Sequence, residues 1–310
     1  MAIRIAIVGA GAMGCLFGGR LSAVADVTLL DPWAEHVAAI QRDGLHITEL
    51  DGRQTIVRLP ATTHPAAAPQ ADLAIVFVKS HATRQASEWA AAFLAPDGLA
   101  LTLQNGMGNA ETMAGVLGAQ RVVAGVTSHG ATLLGPGQVR HAGQGPTHIA
   151  SRPEIAARLA AIQAIFERAG LQAHLTDDLD SLVWGKLLIN VGINALTAIL
   201  RVPNGQLDEI PAAAELMAQA VTEAETVCRA RGITLAYDDP LERVRQVARA
   251  TASNRSSMLQ DVLRGAPTEI GVINEAIVRE GAQLGIATPV NATLSHLVRA
   301  IEGSYGSRIN

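Results

Sequence analysis

The sequence of residues 3–14 is Ile-Arg-Ile-Ala-Ile-Val-Gly-Ala-Gly-Ala-Met-Gly. Ile3–Val8 is short and rich in β-branched residues, which is typical of a buried parallel strand. The glycines that follow have the spacing Gly-x-Gly-x-x-Gly, and a helix rich in small residues is predicted after them as far as about Ala23. A strand, a glycine turn and a helix in this order predict the first unit of a doubly wound α/β sheet.

A second strand and an acidic residue complete a dinucleotide-binding pattern. Val27–Leu30 is the predicted strand, and Asp31 follows it at the spacing expected after the glycines. Gly9 permits the tight turn, Gly11 lets the backbone approach a pyrophosphate, and Gly14 lets the helix pack closely. The helix N-terminus offers N–H groups to phosphates, so we favour cofactor binding over a purely structural turn. The predicted cofactor loop comprises Gly9, Ala10, Gly11, Ala12, Met13 and Gly14.

Two later strands in this half of the chain also end in polar residues. Leu73–Val78 is a predicted buried strand that leads into Lys79, and Leu99–Leu103 leads towards Asn105. Ligands of open α/β sheets bind beyond the carboxyl ends of the strands. We therefore expect the glycine loop, Asp31, Lys79 and Asn105 to meet in one crevice.

Strand patterns stop near residue 177, which predicts a domain boundary. Before it, we expect a hairpin at Leu45–Leu59 and a loop at Pro60–Gln70. After it, the predicted helices are Ser181–Leu200, Pro211–Arg231, Pro240–Ala252, Ser256–Arg264, Thr268–Leu284 and Ala292–Glu302. The predicted fold is an N-terminal α/β Rossmann-type dinucleotide-binding domain, residues 1–177, followed by an all-helical substrate-binding domain, residues 178–310.

Composition excludes several classes of function. The chain of 310 residues has a formal net charge of −4 and only 3% aromatic residues, which does not fit nucleic-acid binding. Cys15 and Cys228 are too few for a disulfide framework, and neither they nor the nine histidines have metal-ligand spacing, so we predict no metal site. We expect no signal peptide and no membrane span, since Arg4 interrupts the first apolar run. The expected location is the cytoplasm.

A polar stripe interrupts the apolar segment that opens the helical half. Lys186, Asn190 and Asn194 recur every four residues, so they share one face of a helix whose other residues are mainly Leu, Ile and Val. Asparagine is a poor interior helix former. The stripe therefore indicates the wall of a polar pocket in a hydrophobic core rather than a solvated face.

The chain uses lysine at only two positions, Lys79 and Lys186, although Lys and Arg total 24. Arginine stays protonated, whereas the pKa of a lysine falls readily on burial. This bias suggests that both positions need a titratable or slender ammonium, although chance codon usage is an equal alternative. For Lys186, the further alternative is a surface lysine whose stem lies along apolar neighbours.

Taken together, these motifs resemble the ketopantoate reductase (2-dehydropantoate 2-reductase) family over essentially the whole chain. The matching segments are Gly9–Gly14, Lys79, Gln104–Gly108, the helix with Lys186, Asn190 and Asn194, Pro203–Gly205, Ser256–Asp261 and Pro267–Ile270. The resemblance implies hydride transfer from a nicotinamide cofactor, NADPH or NADH, to a 2-oxo acid.

The resemblance also implies roles for single residues. Lys186 is the expected general acid, which neutralises the charge on the carbonyl oxygen, and burial lowers its pKa from a free value of ~10.4. The implied substrate-binding residues are Asn105, Asn190, Asn194, Asn204, Asn254 and Ser257. The implied cofactor contacts beyond the glycine loop are Lys79, Asn105, Ala131 and Glu269, while Asp31 is expected as a cofactor contact from the dinucleotide-binding pattern itself.

Simple structural roles compete with three of these assignments. Asn105 precedes Gly106 and fits a turn, Ser257 lies at a probable helix start where serine often acts as an N-cap, and Glu269 is expected in the first turn of a helix. For these residues, the family pattern supplies the functional interpretation.

One feature departs from the family pattern. The family commonly uses NADPH and has a basic residue after the second strand, whereas this chain has Asp31, Pro32 and Trp33 there. A carboxylate accepts a hydrogen bond from a ribose 2′-hydroxyl and repels a 2′-phosphate, so we expect NADH to be preferred or at least well used.

Two other functions remain open at this point. One is a related D-2-hydroxy acid dehydrogenase, because a carboxylate and a 2-oxygen are common to all its substrates. The other is a non-catalytic dinucleotide sensor, which needs the glycine loop but not Lys186 with its polar neighbours. The helical domain could also pair with its copy in a homodimer.

Overall fold

A computed structural model of the chain describes residues 3–307 and divides into two compact units. The first comprises the described residues up to Gln104 together with Gly108–Leu179, and the second comprises Asn105–Met107 and the described residues from Asp180. The first unit contains the strands and the second is helical. This confirms the predicted fold class.

The strands belong to two sheets. In the described residues they are β1 (Arg4–Val8), β2 (Asp26–Leu30), β3 (Leu45–Thr48), β4 (Gln54–Val57), β5 (Ala61–Thr62), β6 (Ala71–Val76), β7 (Leu94–Thr102), β8 (Val122–Thr127), β9 (Gly130–Gly135), β10 (Gln138–Gly143), β11 (Thr147–Ala150) and β12 (Ala173–Thr176). The larger sheet has the order β12-β11-β8-β7-β6-β1-β2-β5. Since β1 pairs in parallel with β2 on one side and β6 on the other, the strand order reverses at β1, where ligands of such sheets bind.

Helices flank the larger sheet and its strands form the core of the first unit. They are α1 (Ala12–Leu21), α2 (Ala34–Asp43), α3 (Thr83–Phe93), α4 (Asn109–Leu117) and α5 (Ala156–Arg168). The side chains of Ile5 and Ile7 in β1 pack in one cluster with Phe17 of α1, while Ala6 and Val8 pack in another. A strand buried on both sides explains the continuous apolar run in the sequence.

The smaller sheet has the order β4-β3-β10-β9. The predicted hairpin is confirmed as β3 and β4, which pair antiparallel, and β10 joins β3 in parallel through residues 138–140. The prediction that Pro60–Gln70 is entirely a loop is wrong, because β5 within it pairs with β2. A strand of two residues, Ala61 and Thr62, is too short to produce an alternating pattern.

The second unit is built around α6 (Leu179–Leu200), whose core-facing side chains include Leu188 and Val191. The helices that follow are α7 (Gln206–Glu209), α8 (Pro211–Ala230), α9 (Pro240–Ala250), α10 (Ser257–Arg264), α11 (Asn274–Leu284) and α12 (Pro289–Gly303). The predicted continuous helix at Thr268–Leu284 is wrong. A 3₁₀ turn at Ile270–Val272 is separated from α11 by Ile273, whose ψ of −96° is not helical.

Length and composition alone would allow α6 to cross a membrane, and it is the one helix in residues 3–307 that meets this test. In its most apolar window, however, 67% is buried inside the structure. Its apolar side chains pack against Met217, Val221 and Val244 of neighbouring helices in the same core. The composition of α6 is therefore explained as that of a core helix.

The glycines of the first loop have different structural reasons. Gly9 has a φ of +95°, a conformation that favours glycine. A Cβ on Gly14 would overlap the carbonyl oxygen of Gly9, whereas a Cβ on Gly11 would meet no atom within 4 Å. Gly14 is thus required for packing of α1 against the sheet, and Gly11 borders open space.

We predict stability losses of different size for two matched substitutions in this loop. Gly14→Ala places a methyl group against the Gly9 backbone and should lower the free energy of unfolding by about 2 kcal/mol or more. Gly11→Ala, at the N-cap of α1, should cost no more than about 1 kcal/mol. Chemical denaturation of both variants tests this, and equal losses would contradict it.

Candidate active site

The glycine loop leads directly into the N-terminus of α1. The Gly9 N–H donates to the Leu30 carbonyl oxygen at 2.8 Å, which fixes the loop against the end of β2. Gly11 is the N-cap of α1 and has no side chain with which to cap it. Exposed helix N–H groups, a positive dipole end and open space at Gly11 together fit a pyrophosphate.

Asp31 lies at the end of β2, the next strand in the sheet, and is half-buried. Its Oδ1 accepts a hydrogen bond of 2.9 Å from the Trp33 N–H, and its own N–H donates to the Thr62 carbonyl oxygen of β5 at 3.2 Å. These two hydrogen bonds fix the Asp31 carboxylate at the C-terminal end of β2.

The loop after β6 carries Lys79, which is half-buried and precedes the 3₁₀ turn Ser80–Ala82. Gln104, at the end of β7, holds this loop by donating from Nε2 to the Val78 carbonyl oxygen at 2.7 Å and to Thr83 Oγ1 at 2.8 Å. Sequence reasoning gave Gln104 no role, because only the pairing of β6 with β7 brings it to this loop.

Ala131, another expected cofactor contact, lies in β9 of the smaller sheet. It is half-buried against the core that contains Ala10 and Phe17, and β9 packs beside α1. The structure thus places Ala131 near the helix that follows the glycine loop.

In the helical unit, α6 presents the predicted stripe on one face. Lys186 and Asn190 are half-buried and Asn194 is buried, while Leu187, Leu188 and Val191 point into the core. Lys186 and the two asparagines are each one helical turn apart. The expectation of a polar wall inside an apolar unit therefore fits the positions of these residues.

Glu269 sets the charge environment of Lys186. Burial lowers the pKa of Lys186 to about 8, and the negative charge of Glu269 opposes that shift. Glu269 is itself buried and precedes the 3₁₀ turn Ile270–Val272, so its expected place in the first turn of an α-helix is wrong. The physical reason is that Ile273 departs from helical geometry and separates this turn from α11.

Two adjacent serines at the start of α10 have different roles. Ser256 is the N-cap, since its Oγ accepts a hydrogen bond from the Leu259 N–H at 3.0 Å, and it also lies 2.7 Å from Thr197 Oγ1 of α6. Ser257 Oγ instead accepts a hydrogen bond of 3.5 Å from Asn194 Nδ2. The buried Thr197–Ser256 contact therefore fixes α10 against α6 with Ser257 beside the stripe.

Asn204 and Asn254 meet through the main chain. The Asn204 N–H donates to the Asn254 carbonyl oxygen at 3.0 Å, and Asn204 Nδ2 donates to Thr251 Oγ1 at 2.9 Å. Asn204 Oδ1 is buried with no hydrogen-bond partner among the described residues, which leaves an acceptor for a ligand. Asn254 is exposed, and its contribution here is its backbone carbonyl.

Asn105 groups with the helical unit rather than with the strand that precedes it. The Met107 N–H donates to the Val272 carbonyl oxygen at 3.1 Å, and Gly106 adopts a φ of +79°. A Cβ on Gly106 would touch Val272. The stretch from Asn105 to Met107 is thus held against Val272, which follows Glu269 by three residues in the chain.

Tyr237 is a further residue near Lys186 that sequence reasoning missed. Its hydroxyl donates to the Gly185 carbonyl oxygen at 2.9 Å, and burial raises its pKa to about 12, so it remains a protonated donor. No local motif signals this contact, because Tyr237 lies in an irregular segment far along the chain.

Within residues 3–307 no three His, Cys, Asp or Glu side chains form a metal-binding group.

Comparison with known proteins identifies the family. The sequence model of the family described as Ketopantoate reductase PanE/ApbA matches residues 5–154, and that of Ketopantoate reductase PanE/ApbA C terminal matches residues 178–302. The chain is 41% identical over 299 residues to the 2-dehydropantoate 2-reductase of Halobacterium salinarum, covering 96% of this chain and 98% of that protein. The chain belongs to the ketopantoate reductase family.

Solved structures agree with this membership. A PanE/ApbA family ketopantoate reductase from Ralstonia eutropha is 37% identical, with a TM-score of 0.90 over 97% of this chain and 99% of that one. A D-mandelate dehydrogenase solved with NADH and anilino(oxo)acetate is 30% identical, with a TM-score of 0.92 over 99% and 100%. The predicted family and its oxidoreductase class are thus confirmed.

The two serines of α10 should respond differently to substitution. Ser256→Ala removes both the helix cap and the buried partner of Thr197, so the free energy of unfolding should fall by about 1–2 kcal/mol. Ser257→Ala, its matched control, should change stability by less than about 0.5 kcal/mol. Urea denaturation distinguishes them, and a larger loss for Ser257→Ala would refute the assigned roles.

Proposed function

We propose that the chain reduces 2-dehydropantoate (ketopantoate) to pantoate in the cytoplasm, with a reduced nicotinamide cofactor and with Lys186 as general acid. Residues 1–177 bind the cofactor and residues 178–310 bind the substrate. The observation that carries the proposal is the stripe on α6, where the half-buried Lys186 is followed at four-residue spacing by Asn190 and Asn194. Burial lowers the pKa of this lysine to about 8, as a proton donor near neutral pH requires. Membership of the ketopantoate reductase family supports it.

Most of the proposed cofactor contacts belong to the first unit, whereas Glu269 belongs to the second. The N–H groups at the start of α1 hold the pyrophosphate, and Lys79 adds a positive charge at the end of β6. The reduced nicotinamide, when bound, supplies the hydride for the carbonyl carbon. Asp31 holds a ribose hydroxyl, and Ala131 and Glu269 are proposed as further cofactor contacts.

Lys186 supplies the proton. When the carbonyl carbon is reduced, its oxygen becomes basic, and a donor with a pKa near the operating pH transfers a proton to it efficiently. An ammonium with a pKa of about 8 remains mostly protonated at neutral pH yet releases its proton more readily than an ordinary lysine. Glu269 keeps the pKa of Lys186 from falling further.

Neutral donors and acceptors orient the substrate. Asn190 and Asn194 follow Lys186 along one helix face, so they bind oxygen atoms without competing for the role of the charged group. Ser257, in the first turn of α10, adds a hydroxyl, and the helix N-terminus favours the substrate carboxylate. Asn204 offers its unpaired Oδ1 to a substrate hydroxyl, and we include Asn105 and Asn254 in the same binding set.

Initial rates with a panel of 2-oxo acids and both cofactors test the function. We expect ketopantoate to give a higher kcat/KM than pyruvate or phenylglyoxylate, the 2-oxo acid of mandelate. A preference for phenylglyoxylate would favour the D-2-hydroxy acid dehydrogenase alternative. Binding of NADH without turnover of any acid would favour a sensor. Light scattering on the same samples tests whether the helical domain pairs with its copy in a homodimer.

The pKa of Lys186 predicts how kcat depends on pH. Because Lys186 donates a proton only when it is charged, kcat should be constant below a pKa of about 8 and fall about tenfold per pH unit above it. Lys186→Ala should lower kcat by about 10²–10⁴-fold and abolish this inflection. A variant that retains most of its kcat at neutral pH would overturn the general-acid role.

The companion variant Glu269→Gln keeps the shape of the side chain and removes its charge. Since the Glu269 carboxylate raises the pKa of Lys186, its loss should move the inflection to lower pH. Glu215→Gln, on the exposed surface of α8, should leave the inflection in place. An unchanged or higher inflection in Glu269→Gln would refute the electrostatic coupling.

The charge of Asp31 predicts a preference for NADH over NADPH. In the proposed site the ribose 2′-position faces the Asp31 carboxylate, and this negative charge repels a 2′-phosphate, so kcat/KM for NADH should exceed that for NADPH by about tenfold or more. Asp31→Asn removes the charge and should improve use of NADPH. Initial rates with both cofactors measure this, and a strong preference of the unaltered chain for NADPH would contradict it.

A further inference from the structure

Trp33 is unusual among the aromatic residues of the chain. The nine Phe, Trp and Tyr residues all lie in the part of the chain that the structure describes, and Trp33, 39% exposed, is the only one of them classed as exposed. A lone exposed apolar side chain needs no explanation by itself. The way in which this ring is held, however, indicates a purpose.

One face of the Trp33 indole rests on a rigid support. The indole stacks on the imidazole of His36, with ring centroids 5.1 Å apart and an interplanar angle of 12°. His36 is fully buried, and its Nδ1 accepts a hydrogen bond of 3.0 Å from the Gly137 N–H of the β9–β10 turn. Its Nε2 lies 3.4 Å from Cys15 Sγ of α1. Two separate elements therefore fix the supporting ring.

These contacts also fix the protonation of the support. Because Nδ1 accepts a hydrogen bond, the imidazole proton lies on Nε2 and points towards the Cys15 sulfur. Burial lowers the pKa of His36, although the charge of Asp31 opposes this. The indole thus rests on a neutral, immobile ring, and its orientation costs little further conformational entropy when a ligand binds.

The main chain of Trp33 is tied to the proposed ribose-binding residue. Its N–H donates to Asp31 Oδ1 at 2.9 Å, so the positions of the carboxylate and the indole are set by one turn. The adenine of a dinucleotide is bonded to the ribose carbon next to the one that carries the 2′-hydroxyl. A base whose ribose binds Asp31 therefore lies within one sugar ring of Trp33.

We propose that Trp33 is the adenine-stacking residue of the cofactor site. The adenine base stacks on its indole, and the ribose attached to that base binds Asp31. This rests on the proposed binding of a nicotinamide dinucleotide. An indole that stacks on a buried ring and is itself 39% exposed can accept one further planar ring, and purines stack well on tryptophan. Hydrogen-bonding groups are not required, so any ligand with an adenosine 5′-diphosphate group should use this surface.

The first experiment measures binding of ADP-ribose, which contains the adenosine and pyrophosphate but no nicotinamide. Calorimetric titration should give a Kd about tenfold higher for Trp33→Ala than for the unaltered chain, and Trp33→Phe should stay within about threefold because it retains a stacking ring. Trp89→Phe, a half-buried tryptophan of α3, is the matched control and should not alter binding. A Trp33→Ala variant that binds ADP-ribose within about twofold of the unaltered chain would overturn the proposal.

Fluorescence provides a second measurement that does not depend on how Trp33→Ala folds. Stacking of adenine on an indole quenches its emission, so ADP-ribose should quench the unaltered chain and Trp89→Phe, and Trp33→Phe should lose this quenching. Equal quenching in Trp33→Phe would refute the stacking. If the unaltered chain bound neither ADP-ribose nor NADH, the cofactor assignment itself would fail. If it bound both while Trp33→Ala was unaffected, only the role of Trp33 would fail.

Discussion

The site depends on an ammonium group that is partly removed from water. Burial alone would drive Lys186 towards the neutral form, which could no longer donate a proton. The buried carboxylate of Glu269 opposes this and leaves the pKa at about 8. The two effects must be balanced, because a lysine in full contact with water would hold its proton too tightly and an unpaired buried one would lose it. The amides of Asn190 and Asn194 extend the polar face without disturbing that balance, since neither carries a charge.

The sites that we propose in the two units use different groups to bind charged ligands. In the α/β unit these are mainly main-chain groups, because α1 presents its N–H groups beside a glycine that leaves open space. In the helical unit the proposed binding groups are side chains, and contacts between distant segments hold them in place. Thr197 and Ser256 are the clearest example, because their buried hydroxyl contact fixes the start of α10 against α6 and so places Ser257. The main-chain hydrogen bond from Met107 to Val272 likewise fixes the stretch that contains Asn105.

The adenosine end shows how one short turn can serve two purposes. The Asp31 carboxylate accepts a hydrogen bond from the Trp33 N–H, and it is also the group that we propose to bind a ribose hydroxyl. His36 supports the indole from the core side and is held by α1 and by the β9–β10 turn. Charge and ring stacking are therefore fixed together, so a substitution at either residue changes the same part of the ligand surface.

The sequence by itself determined the buried strands β1, β2, β6 and β7 of the larger sheet, the glycine loop, the helical character of the second half and the stripe on α6. Each depends on contacts between near neighbours in the chain: β-branched runs, glycine spacing and a four-residue period. Only the tertiary structure decided that β10 joins β3, that β5 exists, and that Ile273 breaks the helix expected at Thr268–Leu284. It alone also brought Glu269 to Lys186, Gln104 to the Lys79 loop and Tyr237 to Gly185. These pairs are separated by many residues, and hydrogen bonds or charges between distant segments leave no periodic trace in a single sequence.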